Sequence, residues 1–424
     1  MNVKITAPKG TKDILPEESC KLQYVEDVLR KLSKTFNFHE LRTPTFEHTE
    51  LFLRGVGDTT DVVTKEMYTF TDKGDRSITL RPEGTAGVAR SFIENGLYNA
   101  SLPQKLYYII SCFRYEKPQA GRLREFHQYG VEMIGSNTPS ADAEAIMLAD
   151  KIFETFGLKD NITLNLNNIG CKKCRGDYNK KLKDYLFEKK DLLCDTCKER
   201  TEKNPMRTFD CKSPVCKEAL KDAPTIFDCV CEDCKAHFKK VTDILDTVGI
   251  EYKIDKSIVR GLDSYSKTVF EFVSNSIGAQ GTVLGGGRYD GLISDIGGND
   301  EAGIGFAMGL ERLLLLLSLK EDFNIKPSSP KIMLIPVDDE ARLEAYRLLM
   351  KLRDKGICAE IDVNERSVKA QMKYANKLNA MYTAVLGEDE IKNNLLKLKN
   401  MENGEVTEVS FEELIKYMEE INNG

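Results

Sequence analysis

The strongest constraint on the fold of this chain is a pair of strand patterns set around an arginine-bearing loop. Residues 106–113 form an apolar run rich in Tyr and Ile, the pattern of a buried strand. Residues 125–134, EFHQYGVEMI, predict a second strand with Phe126, Gln128, Gly130 and Glu132 on one face, since strand side chains alternate sides. The segment between them carries Pro118 and Gly121 and is too long for a two-residue hairpin turn. Arg114, Glu116, Arg122 and Arg124 lie in or beside it. A strand face offering a ring, an amide and a carboxylate, with guanidinium groups at its rim, suits a nucleoside triphosphate. Arginine grips phosphate oxygens in a bidentate fork, and an aromatic face stacks on a base. An exposed hairpin with solvated charges has the same pattern, so periodicity alone leaves both readings open.

Composition narrows the class. At 424 residues the chain is long enough for two or three domains, and 41% apolar with 30% charged residues is ordinary for a globular protein. No apolar run approaches a membrane span, and the N-terminal MNVKITAPKG lacks the apolar stretch of a signal peptide, so a cytoplasmic protein with no membrane association is expected. The net charge of −6 excludes a surface coated in basic residues. A nucleic-acid partner stays open, because binding depends on where positive charge is concentrated. Twelve cysteines without an export signal read as reduced thiols or metal ligands.

From the N-terminus, Pro16 opens an amphipathic helix with Leu22, Val25, Leu29, Leu32 and Phe36 at helical spacing and Glu17 and Glu18 in the first turn. HELRTPTFEHTELF then reads as a strand broken at Pro44. Residues 77–84, SITLRPEG, predict a short strand whose end exposes Glu83 and Thr85 beside a glycine, where a carboxylate and a hydroxyl can receive an ammonium group. A helix over 141–156 and a strand at NITLNLNN follow. Residues 170–245 are Lys-rich and helical in pattern, and nine of the twelve cysteines fall in this stretch. Cys171-x2-Cys174 and Cys194-x2-Cys197, 19 residues apart, fit the spacing of a structural Zn2+ site with four thiolates. Cys211-x4-Cys216 and Cys231-x2-Cys234 could supply a second set and leave Cys229 spare. Free cysteines acting as small apolar fillers are the alternative.

Beyond this module, residues 257–274 contain VRGLD, with Arg260, then Ser264, Tyr265 and a strand at Val269–Val273 by pattern. GTVLGGGRYDGL is a strand followed by a glycine triplet that admits close backbone approach, with Tyr289 after it. AGIGFAMGLERLLLLLSL predicts a central buried helix, since full burial of each leucine is worth about 1.5–3 kcal/mol. Glu311 and Arg312 near its start therefore need partners. NIKPSSP is a linker by composition. The remainder alternates strand and helix as βαβαβ, with Arg366, Lys369, Lys373 and Lys377 forming a basic stripe on one helix.

The stretch FRYEKPQAGRLREFHQYGVE resembles motif 2 of the class II aminoacyl-tRNA synthetases, and specifically of the histidyl-tRNA synthetases. The likeness runs through the chain in order: a helix and Pro-ended strand like motif 1, the RPEGT segment, motif 2, an insertion, two histidine-specific signatures, and a Gly-Leu-Glu-Arg helix like motif 3. It implies an α+β fold: an antiparallel sheet flanked by helices over 1–325, a helical Cys-rich insertion at 170–245, and an α/β anticodon-binding domain at 331–424. It implies a homodimer that uses ATP and Mg2+ to activate histidine and charge tRNA(His), with lysines of the insertion and of the C-terminal helix meeting tRNA phosphates.

The same resemblance assigns roles. Arg114 and Arg260 would flank the α-phosphate, and Arg122 and Arg312 would hold the phosphate tail. Phe126 would stack on adenine while Glu116 reads its exocyclic amine. Glu83, Thr85 and Gln128 would hold the amino and carboxylate end of histidine, and Glu132, Tyr265 and Tyr289 its ring. Two departures matter. Ser264 stands where the family usually has a first tyrosine, and metal in the insertion is not general to the family. A regulatory paralogue that only senses histidine would lack Arg260 and the C-terminal domain. A pure RNA-binding module would have no use for the Phe126–Glu132 face.

Overall fold

The structure is a computed structural model, and it describes residues 4–57, 60–211, 213–258, 264–277 and 281–423. The two strands that open the sequence argument are Gln104–Phe113 and Glu125–Ile134, paired antiparallel from Gln104 opposite Ile134 to Phe113 opposite Glu125. The register runs unbroken over all ten pairs, so the loop between the strands is held at one end of a continuous ribbon. Its tip is tighter than its length implies: Gln119 and Arg122 exchange backbone hydrogen bonds of 3.0 and 2.9 Å around Ala120 and Gly121. Gly121 has φ +69°, a left-handed value that glycine adopts without strain.

Among the described residues eight strands form the main sheet. Its order is His39–Glu40, Gln104–Phe113, Glu125–Ile134, Gly303–Gly309, Thr282–Arg288, Ser266–Val273, Thr163–Asn168 and Lys253–Ile254. The central strands are antiparallel, and only the short outer strands pair parallel. One face packs Tyr129, Val131, Met133, Phe270, Phe272 and Phe306 against helices Pro16–Thr35, Pro139–Thr155, Glu232–Thr247 and Leu310–Leu317. The other face, with Tyr108, Ile110 and Cys112, is partly covered by helix Thr85–Glu94 through Val88, Ala89 and Phe92. Alternation thus puts Phe126, Gln128 and Glu132 on the face opposite the main core.

Several sequence expectations are corrected here. The segment read as a strand broken at Pro44 becomes strands His39–Glu40 and Phe46–His48, and then helix Thr49–Val56, whose Leu51, Phe52 and Val56 point inward. The RPEGT strand Ser77–Leu80 lies in a separate three-stranded sheet between Phe46–His48 and Tyr68–Thr71. The glycine triplet does not follow its strand. It lies inside Thr282–Arg288, paired on both sides. GIGFAMG is itself a strand, and the helix after it buries Leu313, Leu316 and Leu317 but leaves Leu314 and Leu315 partly exposed.

The insertion folds into helices Lys172–Glu188, Asp195–Lys203, Pro214–Ala219 and Glu232–Thr247, with a core of Tyr178, Leu182, Leu186, Leu220, Ile226 and buried cysteines. Contacts divide the chain into two compact units, Met1–Ile325 and Lys326–Gly424. The second is a five-stranded sheet in the order Ala359–Ile361, Ile332–Pro336, Tyr382–Leu386, Leu396–Asn400, Val406–Val409, the first three parallel. The antiparallel hairpin and helix Phe411–Asn423 extend the βαβαβ pattern read from sequence. The basic stripe is shorter than expected. Arg366 precedes helix Val368–Lys377, bonds Asp362 through two nitrogens at 2.8 and 2.9 Å, and stacks on Tyr374, leaving Lys369, Lys373 and Lys377 exposed.

Candidate active site

Arg81 anchors the segment that begins the site. Its guanidinium donates to the carbonyls of Ser111, Thr43 and Pro44, tying the end of the small sheet to the ribbon. Two residues on, buried Glu83 accepts from the backbone N–H groups of Thr85 and Ala86 at 2.6 and 2.9 Å, so it caps helix Thr85–Glu94. Burial raises its pKa, the two backbone donors oppose the shift, and the Arg114 charge adds to the opposition. Gln128 accepts from the N–H of Gly84 at 3.0 Å, which joins this turn to the long strand.

Glu132 is the centre of a cluster of hydroxyl groups and is almost wholly buried. Its Oε1 accepts from the Thr85 hydroxyl at 2.7 Å and from the Tyr108 hydroxyl at 3.3 Å, and its Oε2 accepts from the Tyr289 hydroxyl at 2.6 Å. Burial pushes its pKa up to about 8 against the pull of those hydroxyls. Glycines make the room. A Cβ at Gly305 would overlap Glu132 Oε2, and one at Gly303 would overlap the Tyr289 ring. Tyr265 is buried against Gly287, where an added Cβ would meet its ring at 2.9 Å. The structure thus brings Glu83, Thr85, Gln128, Glu132, Tyr265 and Tyr289 to one region of the sheet.

At the other end of the same strand Arg114 donates to the Pro82 carbonyl at 2.8 Å and lies over the Phe126 ring, 5.4 Å from its centroid. Arg122 pairs with Glu116 at 2.9 Å. Arg312 donates to the Thr282 carbonyl, and burial together with the nearby Arg122 charge lowers its pKa. Three guanidinium groups thus share one region, with Glu116, Glu66 and Glu83 as the carboxylates around them. Arg260 lies outside the described residues.

Sequence reasoning missed three participants, Tyr108, Arg288 and Glu66, and the partner of a fourth, Glu311. Tyr108 was legible in principle, since it sits two ladder steps from Ile110 on the face that carries Gln128. Glu311 is satisfied by His127, accepting from its N–H at 2.9 Å and meeting its Nδ1 at 2.9 Å. Arg288 is fully buried and bonds Asp142, which also meets His237 Nε2 at 2.7 Å. Glu66 has its pKa raised by burial and by the charge of Glu116. The partners of the last three had no local signal, because each is distant in the chain.

The cysteine pairing read from sequence is overturned. The sulfurs of Cys171, Cys174, Cys231 and Cys234 lie within 4.8 Å of one another, and so do those of Cys194, Cys197, Cys211 and Cys216. The nearest pair in sequence is not the nearest in space, because the helix between Cys174 and Cys194 carries the chain away.

The family model described as "Histidyl-tRNA synthetase" matches residues 10–313, and "Anticodon binding domain" matches 331–421. The chain is 54% identical over 415 residues to "Histidine--tRNA ligase" of Clostridioides difficile (strain 630), covering 98% of this chain and 99% of that protein. It is 55% identical over 412 residues to "Histidine--tRNA ligase" of Acetivibrio thermocellus, covering 96% and 98%. The crystal structure of apo S. aureus histidyl-tRNA synthetase is similar with a TM-score of 0.83 and 40% identity, covering 98% of this chain and 100% of that one. Among the described residues no helix is long and apolar enough to cross a membrane.

Proposed function

We infer the residue roles below from one premise: this chain belongs to the histidyl-tRNA synthetase family. It activates histidine with ATP and Mg2+ and transfers it to tRNA(His). A histidine carboxylate oxygen bonds to the α-phosphorus, the bond to pyrophosphate breaks, and the 3′-terminal hydroxyl of the tRNA then takes the histidyl group from the adenylate.

Joining two anions needs positive charge where negative charge develops, and this site is built for that. Arg114 and Arg260 are the proposed flanks of the α-phosphate, with Arg122 and Arg312 on the phosphates of Mg2+-bound ATP. Phe126 stacks on adenine from the side opposite Arg114, and Glu116 meets the amine once Arg122 turns to phosphate. Glu83, Thr85 and Gln128 hold the amino and carboxylate end of histidine. Glu132, kept between three hydroxyls, accepts from a ring N–H, while Tyr265 and Tyr289 border the ring. Such a site rejects apolar analogues by about 10⁴ or more, because they leave buried polar groups unpaired. The observation that supports the reading is the single strand Glu125–Ile134, with the buried Glu132 carboxylate near one end and the Phe126 ring under Arg114 at the other.

The domain organisation, a 1–325 catalytic domain with its 170–245 insertion and a 331–424 anticodon-binding domain, is proposed on the same premise, as is a cytoplasmic location. A homodimer is supported by Phe46, Leu53 and Phe70, apolar side chains exposed on the small sheet and the helix beside it. Structural Zn2+ on the thiolates of the insertion is supported by the two four-sulfur clusters.

Amino-acid-dependent ATP–pyrophosphate exchange tests the reading. Exchange with histidine and none of the other nineteen amino acids, lost in Arg260→Ala, is expected. Histidine binding without exchange would assign the chain to a regulatory role instead.

A further inference from the structure

The insertion carries two sets of four sulfurs that share one local design. Cys171, Cys194 and Cys231 each sit at the N-cap of a helix, with Cys174, Cys197 and Cys234 three residues on in its first turn. Cys216 occupies the same place in helix Pro214–Ala219, whose N-cap is Ser213. A helix N-terminus stabilises a thiolate through its free N–H groups and dipole. Backbone N–H groups also point at the sulfurs: Cys231 N to Cys174 Sγ at 3.1 Å, Cys194 N to Cys216 Sγ at 3.2 Å, and Ser213 N to Cys211 Sγ at 3.5 Å.

The spacing is that of ligands, not of disulfides. Cys171 and Cys174 sulfurs are 3.6 Å apart, and those of Cys194 and Cys211 are 3.8 Å apart. A disulfide needs about 2.0 Å. A zinc ion with bonds of about 2.3 Å sets tetrahedral sulfurs about 3.8 Å apart. Each set also lies in the core of the insertion, with two of its cysteines buried in the first set and three in the second.

The two sets differ in what surrounds them. The set with Cys171 and Cys231 lies where the chain leaves and re-enters the catalytic sheet. Asn168, at the end of strand Thr163–Asn168, donates to the Cys234 carbonyl at 2.9 Å. Gly170, with φ +66° and no room for a Cβ beside Cys174, accepts from the N–H of Lys267 at 2.9 Å. Lys267 is two residues from Tyr265, and Tyr265 packs in the same apolar cluster as Cys174 and Cys234. From the same helix as Cys234, His237 reaches Asp142, which holds Arg288, the residue before Tyr289. The second set shares that apolar cluster, and its backbone donors come from Cys194 and Ser213 within the insertion.

We propose that the insertion binds two Zn2+ ions, one on Cys171, Cys174, Cys231 and Cys234 and one on Cys194, Cys197, Cys211 and Cys216, and that the first ion positions Tyr265 and Tyr289 in the amino-acid pocket. Each ion displaces the thiol protons of its four ligands as it binds. The positioning role rests on the histidine-pocket reading given above, whereas the metal content does not.

Elemental analysis of the full-length protein, purified under reducing conditions without chelator, is expected to find two zinc ions per chain. Pairing is read from double variants. Cys171→Ser with Cys234→Ser should lose one ion, and Cys171→Ser with Cys194→Ser should lose both. The reverse result would overturn the pairing, and iron or no metal in the wild type would overturn the sites. Cobalt exchanged into the wild-type protein gives a second measure independent of mutant folding, with the visible absorption of a tetrahedral thiolate centre expected and its absence contradicting the proposal. In the exchange assay Cys234→Ser should raise the histidine KM by about tenfold, the scale of a small pocket displacement, with the ATP KM little changed and Cys216→Ser less affected. An equal effect of both variants would remove the positioning role. Two zinc ions in a wild-type protein inactive with histidine would instead count against the pocket reading and leave the metal sites standing.

Discussion

The Tyr289 hydroxyl donates to Oε2 of Glu132 at 2.6 Å, across 157 residues of chain. This bond closes the far side of a carboxylate that Thr85 and Tyr108 hold on the near side. It fixes the orientation of Glu132 before any ligand arrives, so no ordering cost falls on binding.

Tyr289→Phe removes that donor and keeps the ring. A buried acceptor that loses its partner costs about 1–3 kcal/mol, so the histidine KM in the exchange assay should rise about tenfold or more. The ATP KM should stay near the wild-type value. A parallel rise in both would show that Tyr289 supports the whole sheet and not the amino-acid pocket.

Glu132→Gln separates function from stability. The folded pKa of Glu132 is raised from 4.5 to about 8, so the folded state holds an extra proton between those values. Stability from this group is therefore present at low pH and is lost as pH rises toward the folded value. The wild-type melting temperature should fall more than that of Glu132→Gln between pH 5.5 and 8.5, and the variant should fail to activate histidine. A variant that melts below wild type at pH 8.5 would contradict the burial argument.

Asp142→Ala removes the buried carboxylate of Arg288 and leaves it only the partly exposed Asp290. Burial alone would raise the Asp142 pKa, and His237 and Arg288 together hold it below the ordinary value, so the carboxylate is ionised in the fold. Removing one partner of a buried pair costs about 3–5 kcal/mol. Urea unfolding should show that loss, with Asp142→Asn milder because the amide oxygen still accepts. A change below about 1 kcal/mol, the range of exposed pairs, would show that Arg288 finds other acceptors.

His127 and Glu311 give a second pH signature, of the same sign but centred on an imidazole. The hydrogen bond to Glu311 raises the His127 pKa above 6.5 against the effect of burial. The stability this adds is full below 6.5 and is lost as pH rises through the folded value. Glu311→Gln should therefore be most destabilised near pH 5.5 and approach wild type by pH 8.5, with the His127 titration followed by NMR moving down. An unchanged His127 midpoint would remove the ion pair from the account.

Much of this protein was legible in its sequence, and for local reasons. The period-two pattern of residues 125–134 placed Phe126, Gln128 and Glu132 on one face, and the strand has those same bounds. Pro16 marked the start of the first helix, and the composition of NIKPSSP marked the end of the first compact unit. Motif likeness then supplied chemistry that periodicity could not. What sequence could not supply is which distant groups meet. The glycine triplet read as following its strand because its true partners, the Phe270 and Tyr265 rings, lie on other segments. Glu311 waited on His127, Arg288 on Asp142, and Cys174 on Cys231 and Cys234. A strand or helix pattern is written within about ten residues because backbone geometry repeats over that distance. A buried charge or a set of sulfurs is satisfied by whatever packing brings near, and only the tertiary fold decides that.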